Sequence, residues 1–200
     1  PDERILIPGF YDDVRPPDGR DRAMLAAWEH DDAGLLSEFG TDRFLLGLSG
    51  EALKERFLFW PTCNVCGFTT GYGGPGIKTV LPARAAAKLD FRLVPDQDPY
   101  DILEKLRAHL DVGGFHDVEI VVEGPEFPAR TDPDDPLVAA VVRAARRIYD
   151  KEPVVKPLME GTGPMYELCQ RWGLPAASTS TSNFHRQLGF REICLYREWC

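Results

Sequence analysis

From Arg84 to Leu93 the chain alternates without a break. Ala85, Ala87, Leu89, Phe91 and Leu93 fall on one side, and Arg84, Ala86, Lys88, Asp90 and Arg92 on the other. A period of two belongs to a strand with one face on a core and one in water, as in an antiparallel sheet. Its neighbours fit that sheet. Thr62–Thr70 reads as a strand, and Gly71-Tyr72-Gly73-Gly74-Pro75-Gly76 as the loop between the two. Asp98-Pro99 predicts a helix start, with the carboxylate as cap and proline in the first turn; Ile102, Leu103, Leu106 and Leu110 form its apolar stripe and Gly113-Gly114 its end. Val118, Ile120 and Val122 alternate with polar neighbours and predict a further strand. Strand, strand, helix, strand is most of a ferredoxin-like split βαβ unit, without an opening strand and helix.

Both flanks read differently. Before residue 60, Ile5-Leu6-Ile7 predicts a short strand running into a turn at Pro8–Asp13. Met24, Leu25 and Trp28, then Leu35, Leu36 and Phe39, then Leu53 and Phe57 behind Ser49 as cap, predict small helices. After Gly124-Pro125, Asp135-Pro136 opens another helix. Its wide apolar arc has Leu137, Val141, Ala144 and Ile148 in one row and Val138, Val142 and Ala145 beside it, suiting a face against a sheet. Val154-Val155 (strand), Met165–Trp172 (helix, stopped by Gly173) and Leu174–Ser178 (strand) come next, an alternation that predicts a parallel α/β layer.

Charge and composition narrow the function classes. Lysine and arginine number 23 against 32 aspartate and glutamate, a net charge of −9, which argues against nucleic acid or an anionic membrane surface as partner. The longest apolar run, Leu137–Val142, is far short of the ~20 residues of a membrane helix. Five cysteines, an odd count, do not read as a disulfide framework, so a reducing cytoplasmic setting is expected. The chain opens on Pro1 without methionine and reads as a segment of a longer protein.

Most reactive-looking residues have structural readings. Cys63-x-x-Cys66 lies within a strand pattern and has no second pair at zinc-ribbon spacing. His30-x-Asp32 has metal-site spacing, but polar helix-boundary sequence surrounds it. His109 suits a helix C-terminus and His116 a turn. Gly71–Gly76 lacks the lysine and hydroxyl of a phosphate loop. Two features point to chemistry. Arg92 stands on the wet face near its strand end, and Gly161-Thr162-Gly163-Pro164 precedes a helix. An arginine fork and a helix N-terminus both suit a carboxylate.

Several long motifs, in order over about residues 3–180, resemble the di-zinc metallopeptidase family of aminoacylase, acetylornithine deacetylase, glutamate carboxypeptidase and carnosine dipeptidase, most closely its dipeptidase branch. Ile5–Val14 resembles "GRI-x-(I/V)-PGFYDDV", and Pro61–Gly67 resembles "PT-x-N-x-x-G". Lys78–Ala85 with Phe91–Pro95 is similar to "KTVIPAKA…R-LVP", and Met159–Met165 to the "GG(S/T)-x-P" turn. The resemblance implies a hydrolase with a catalytic α/β domain binding two zinc ions per subunit. A ferredoxin-like lid inserted in that domain mediates homodimerisation. Metal-activated water would cleave a peptide or amide bond beside a free carboxylate, as in a dipeptide or acyl-amino acid.

Position by position, Arg92 matches the lid arginine that clamps the substrate carboxylate. Thr79 matches the lid residue that hydrogen-bonds substrate in the partner subunit, and Gly161 and Thr162 match the pair that receives the carboxylate. The family's metal ligands and its opening lid elements would precede Pro1, so the expectation is a chain that carries no zinc and is inactive alone. The tail departs from the family: its "HAPNE" histidine would fall near Gly189, whereas His185 comes about four residues earlier. A frame change and a diverged C-terminus both account for that. The expected fold is α+β, a lid over 1–126 and part of the catalytic α/β domain over 127–200, with an atypical tail from about 181. A non-catalytic dimerisation or small-ligand-binding module is the alternative.

Overall fold

The computed structural model describes residues 4–148, 152–159, 165–180 and 192–195. Three short helices come first, α1 (Gly19–Ala27), α2 (Asp32–Phe39) and α3 (Gly50–Phe59). A reciprocal capping box starts α1: Asp18 accepts from the N–H groups of Arg20 and Asp21, and Asp21 accepts from that of Asp18 at 3.1 Å. Ser49 does not cap α3 with its side chain. Asp32 does so instead, accepting the Gly50 N–H at 2.7 Å. Leu25 and Trp28 pack on Leu58 and Phe59, and Leu158 from far along the chain closes this cluster. The ammonium of buried Lys54 donates to the Leu25 and Trp28 carbonyls at the end of α1, the placement the helix dipole favours for a cation.

The predicted hairpin forms as β1 (Thr62–Thr70) against β2 (Ala85–Arg92), antiparallel, with Thr62 opposite Arg92, Thr70 opposite Ala85 and a bulge between Val65 and Gly67. The helix opening at Asp98 forms as α4 (Pro99–Val112), Asp98 accepting the Tyr100 N–H at 2.8 Å. A second cluster, Ile7, Phe10, Leu93 and Ile102 with Phe91 and Leu106 against it, joins the N-terminal turn, the end of β2 and α4.

Four local expectations are corrected. Ile5–Ile7 is not a strand; it leads into turns closed by Phe10 N–H to Ile7 (3.1 Å) and Asp12 N–H to Gly9 (3.1 Å). Residues 118–122 form no strand, since the sheet of β1 and β2 has two strands and neither pairs with them. Arg107 instead holds the carbonyls of Phe115 and Val118, at 2.8 and 2.6 Å. The alternating face of β2 is covered only at its Phe91 end. Cys63, Val65 and Phe68 share that face with Ala87, Leu89 and Phe91, and Val65 and Phe68 are 67% and 68% exposed. The expected parallel layer is mixed: β3 (Val154–Lys156) runs parallel to β5 (Glu192–Leu195), which pairs antiparallel with β4 (Ala177–Ser180).

The remaining helix, α5 (Pro136–Ile148), starts as expected, Asp135 accepting the Leu137 N–H at 2.8 Å. It buries Val138 and Ala145, while Leu137 and Ile148 stay exposed, so the second apolar row faces inward. Glu167–Arg171 winds as a π-helical segment, with the Trp172 N–H on the Glu167 carbonyl.

Candidate functional site

Arg92 ends β2, and the residues after it are firmly anchored. Leu93 and Val94 are buried, and buried Gln97 accepts the Val94 N–H at 3.0 Å while donating to the Phe10 carbonyl at 2.8 Å. The Arg92 side chain is 34% exposed, and its Nε donates to Asp90 Oδ2 at 2.6 Å. Residues two apart on a strand share a face, so Asp90 orients the guanidinium from its own strand.

Thr79 stands elsewhere. It is exposed on the irregular connection from Gly71 to Arg84, at the end of the hairpin where Thr70 faces Ala85. Seven residues of strand separate Ala85 from Arg92, about 23 Å at ~3.3 Å per residue. Thr79 thus lies on the loop beyond the far end of the hairpin, and Arg92 at its anchored end. Gly161 and Thr162 lie outside the described residues, as does His185.

Near them in sequence, Tyr166 stacks on Phe127 with ring centroids 4.7 Å apart and planes at 23°, and the Phe127 ring meets Tyr100 at 5.8 Å. An open cleft of about 770 Å³ lies here, lined by Arg15, Arg20, Gln97, Phe127, Arg130 and Tyr166 among others. Beside it Asp21, fully buried, accepts from Arg15 at 3.3 Å and from Arg130. Sequence reasoning missed Asp21, Phe127 and Arg130: 109 residues separate Asp21 from Arg130, and no local spacing links them.

Several other titratable groups are engaged locally. His30 Nδ1 lies 2.5 Å from Asp32 Oδ1, and the ring meets the Trp28 edge at 4.9 Å. Burial opposes the Asp32 charge, but the Gly50 N–H, His30 and Lys54 outweigh it and hold the carboxyl below its ordinary value. Burial, reinforced by Asp90 and Cys66, pushes the Cys63 thiol up, which disfavours the thiolate needed for redox or metal chemistry. His116 Nδ1 sits 3.2 Å from Asp111. Among the described residues no three histidine, cysteine, aspartate or glutamate side chains converge so as to hold a metal ion. The donors on view do not fit the two-zinc centre that the motifs imply.

Residues 22–117 match the family described as a peptidase dimerisation domain, a span that includes Thr79 and Arg92. The chain is 24% identical over 154 residues to a Beta-Ala-His dipeptidase of Mus musculus, covering 74% of this chain and 31% of that protein. It is 26% identical over 157 residues to the Cys-Gly metallodipeptidase DUG1 of Candida albicans, covering 75% and 32%. Among solved structures, the M20 family metallo-carboxypeptidase Sso-CP2 from Sulfolobus solfataricus superposes with a TM-score of 0.79 at 42% identity, over 86% of this chain and 39% of that one. Human carnosine dipeptidase 1 shares the fold, with a TM-score of 0.69 at 23% identity, over 97% and 39%. The chain spans about a third of the length of these curated relatives.

Proposed function

Because the chain carries the dimerisation domain of the M20 peptidases, we propose that it supplies the lid and the carboxylate grip of a zinc-dependent dipeptidase acting beside a free carboxylate. In this reading residues 1–126 are the lid and 127–200 belong to the catalytic domain. Arg92 holds the substrate carboxylate from the lid, and Gly161 and Thr162 receive it from the other side. Thr79 acts on the substrate of a partner subunit in a homodimer. The observation that carries the reading is Arg92 itself, a half-buried guanidinium aimed by Asp90 at the anchored end of β2. A bidentate guanidinium–carboxylate contact is directional and selects the free acid over its esters or amides.

The placement of Thr79 on the loop beyond Ala85, with Arg92 at the other end of β2, about 23 Å along the strand from Ala85, supports a division of labour between two copies. The zinc ions would be held by other parts of the enzyme, so this chain's residues bind and orient but activate no water. We place it in the cytoplasm, on its odd cysteine count and acidic balance; no described helix is long and apolar enough to cross a membrane.

Calorimetric titration of the chain with an N-acetyl amino acid and with its methyl ester tests the grip. The acid should bind, the ester should bind at least about tenfold more weakly, and Arg92→Lys should remove the difference. Equal binding of acid and ester, or none of either, overturns the reading and leaves a dimerisation module.

A further inference from the structure

Segment 127–131 leads from the lid to the rest of the chain, and it is fastened at nearly every residue. Phe127 lies between the rings of Tyr100, in the first turn of α4, and Tyr166, just before the π-helical segment. Ala129 is fully buried. Arg130 pairs with buried Asp21 of α1. The Thr131 hydroxyl, 3% exposed as a residue, donates to the Ala176 carbonyl at 2.7 Å and accepts the Ala176 N–H at 2.9 Å. A flexible linker has none of these properties; its backbone and side chains face water.

We propose that 127–131 is a rigid strut, and that Phe127 is the positioning residue setting α4 against the helical segment that opens at Met165. Its functional consequence rests on the carboxylate-grip reading. Tyr166 stands four residues after Thr162, and the second cluster ties α4 to Leu93, beside Arg92. In that reading the strut ties α4 to the segment that follows Thr162 in sequence. Offset-stacked and tilted aromatic pairs prefer defined ring geometries, which suits them to holding position; an aliphatic side chain of equal bulk only fills space.

Hydrogen exchange on the full 200-residue chain tests this. The reporting amides are those of the α4 stretch 102–106 and those of Trp172 and Leu174, which bond the Glu167 and Leu168 carbonyls. Phe127→Leu, which keeps bulk and loses the stack, should accelerate both sets by about tenfold and leave the β1–β2 amides unchanged; Phe127→Tyr should restore both. Phe127→Ala should give the same pattern more strongly, and the leucine variant decides if alanine prevents folding. Unchanged exchange at Trp172 and Leu174, or an equal acceleration in β1 and β2, overturns the strut. In the acetyl-amino-acid titration, Phe127→Leu should weaken binding of the acid by about tenfold while Phe127→Tyr does not. If the acid fails to bind the unaltered chain, the grip reading falls and the exchange result still decides the strut.

Discussion

Arg92 and Asp90 are joined along one face of β2, the guanidinium Nε donating to Oδ2 at 2.6 Å. This aims the fork while leaving the core untouched, since the buried residues at this end are Leu93 and Val94. Arg92→Lys retains the charge and loses the planar fork. In the dipeptidase proposed above, the substitution is expected to lower kcat/KM by about 10- to 100-fold, or about 1.4–2.7 kcal/mol. Stability of the chain should change by about 0.5 kcal/mol or less. Steady-state kinetics with urea unfolding of the same variant checks both. Unchanged kinetics would make Arg92 an ordinary surface charge.

Among the described residues Asp21 is the one buried carboxylate. It completes the α1 capping box and lies buried between Arg15 and Arg130. The Arg130 Nε is itself buried without a hydrogen-bond partner, so Arg130 leans on Asp21. Removing one member of a buried pair leaves the other charge uncompensated, typically about 3–5 kcal/mol. Asp21→Ala should fall in that range by chemical denaturation, and Asp18→Ala, which removes a cap and an exposed contact to Arg15, should cost clearly less. Similar losses from the two would show that the Arg130 contact is not buried in solution.

Asp32 predicts a pH dependence. Its folded-state carboxyl sits below its ordinary value of 3.8, because the Gly50 N–H, His30 and Lys54 outweigh burial. A depressed carboxylate adds stability at pH above its unfolded value and surrenders it as pH falls through the folded value. Asp32→Asn should therefore destabilise the chain at pH 7 by about 1–2 kcal/mol, and the gap to the unaltered chain should shrink below pH 3.8. Urea unfolding of both at pH 7, 5 and 3 measures it; a gap independent of pH would remove the charge from the account.

What could be read from the sequence tracked the range of the forces involved. Asp98-Pro99 and Asp135-Pro136 announced α4 and α5 because a cap acts within one turn. The period of two in β2 was visible for the same reason. Ser49 misled because its side chain makes no cap bond and the start of α3 is held instead by Asp32, 18 residues away, on the Gly50 N–H, and residues 118–122 misled because alternation specifies a face and not a neighbour to pair with. Of the candidate site, Arg92 was legible from its strand position and the motif around it. Asp21 and Arg130 acquire their roles only when segments 109 residues apart meet, and Phe127 only when it meets Tyr100 and Tyr166 from separate elements, which no local pattern encodes.

The uncovered face of the hairpin yields the last prediction. Val65 and Phe68 of β1 and Leu89 of β2 share one face and are exposed, as are Ile77 and Leu81 on the connecting loop. Contiguous exposed apolar surface of this kind marks an association site, and unpaired strand edges offer backbone partners as well. A peptidase dimerisation domain spans all of these residues. The chain should therefore self-associate as a two-fold dimer at tens of micromolar, seen as twice the monomer mass by light scattering. Phe68→Glu places a charge on that face where the side chain supports no intrachain core, so folding stability should move by about 0.5 kcal/mol or less. Its dimer should dissociate at least about tenfold more readily, about 1.4 kcal/mol. Thr69→Glu, on the opposite face of the same strand, controls for charge alone and should leave the association intact. A monomer at every concentration, or equal weakening by both substitutions, would remove this face from the interface.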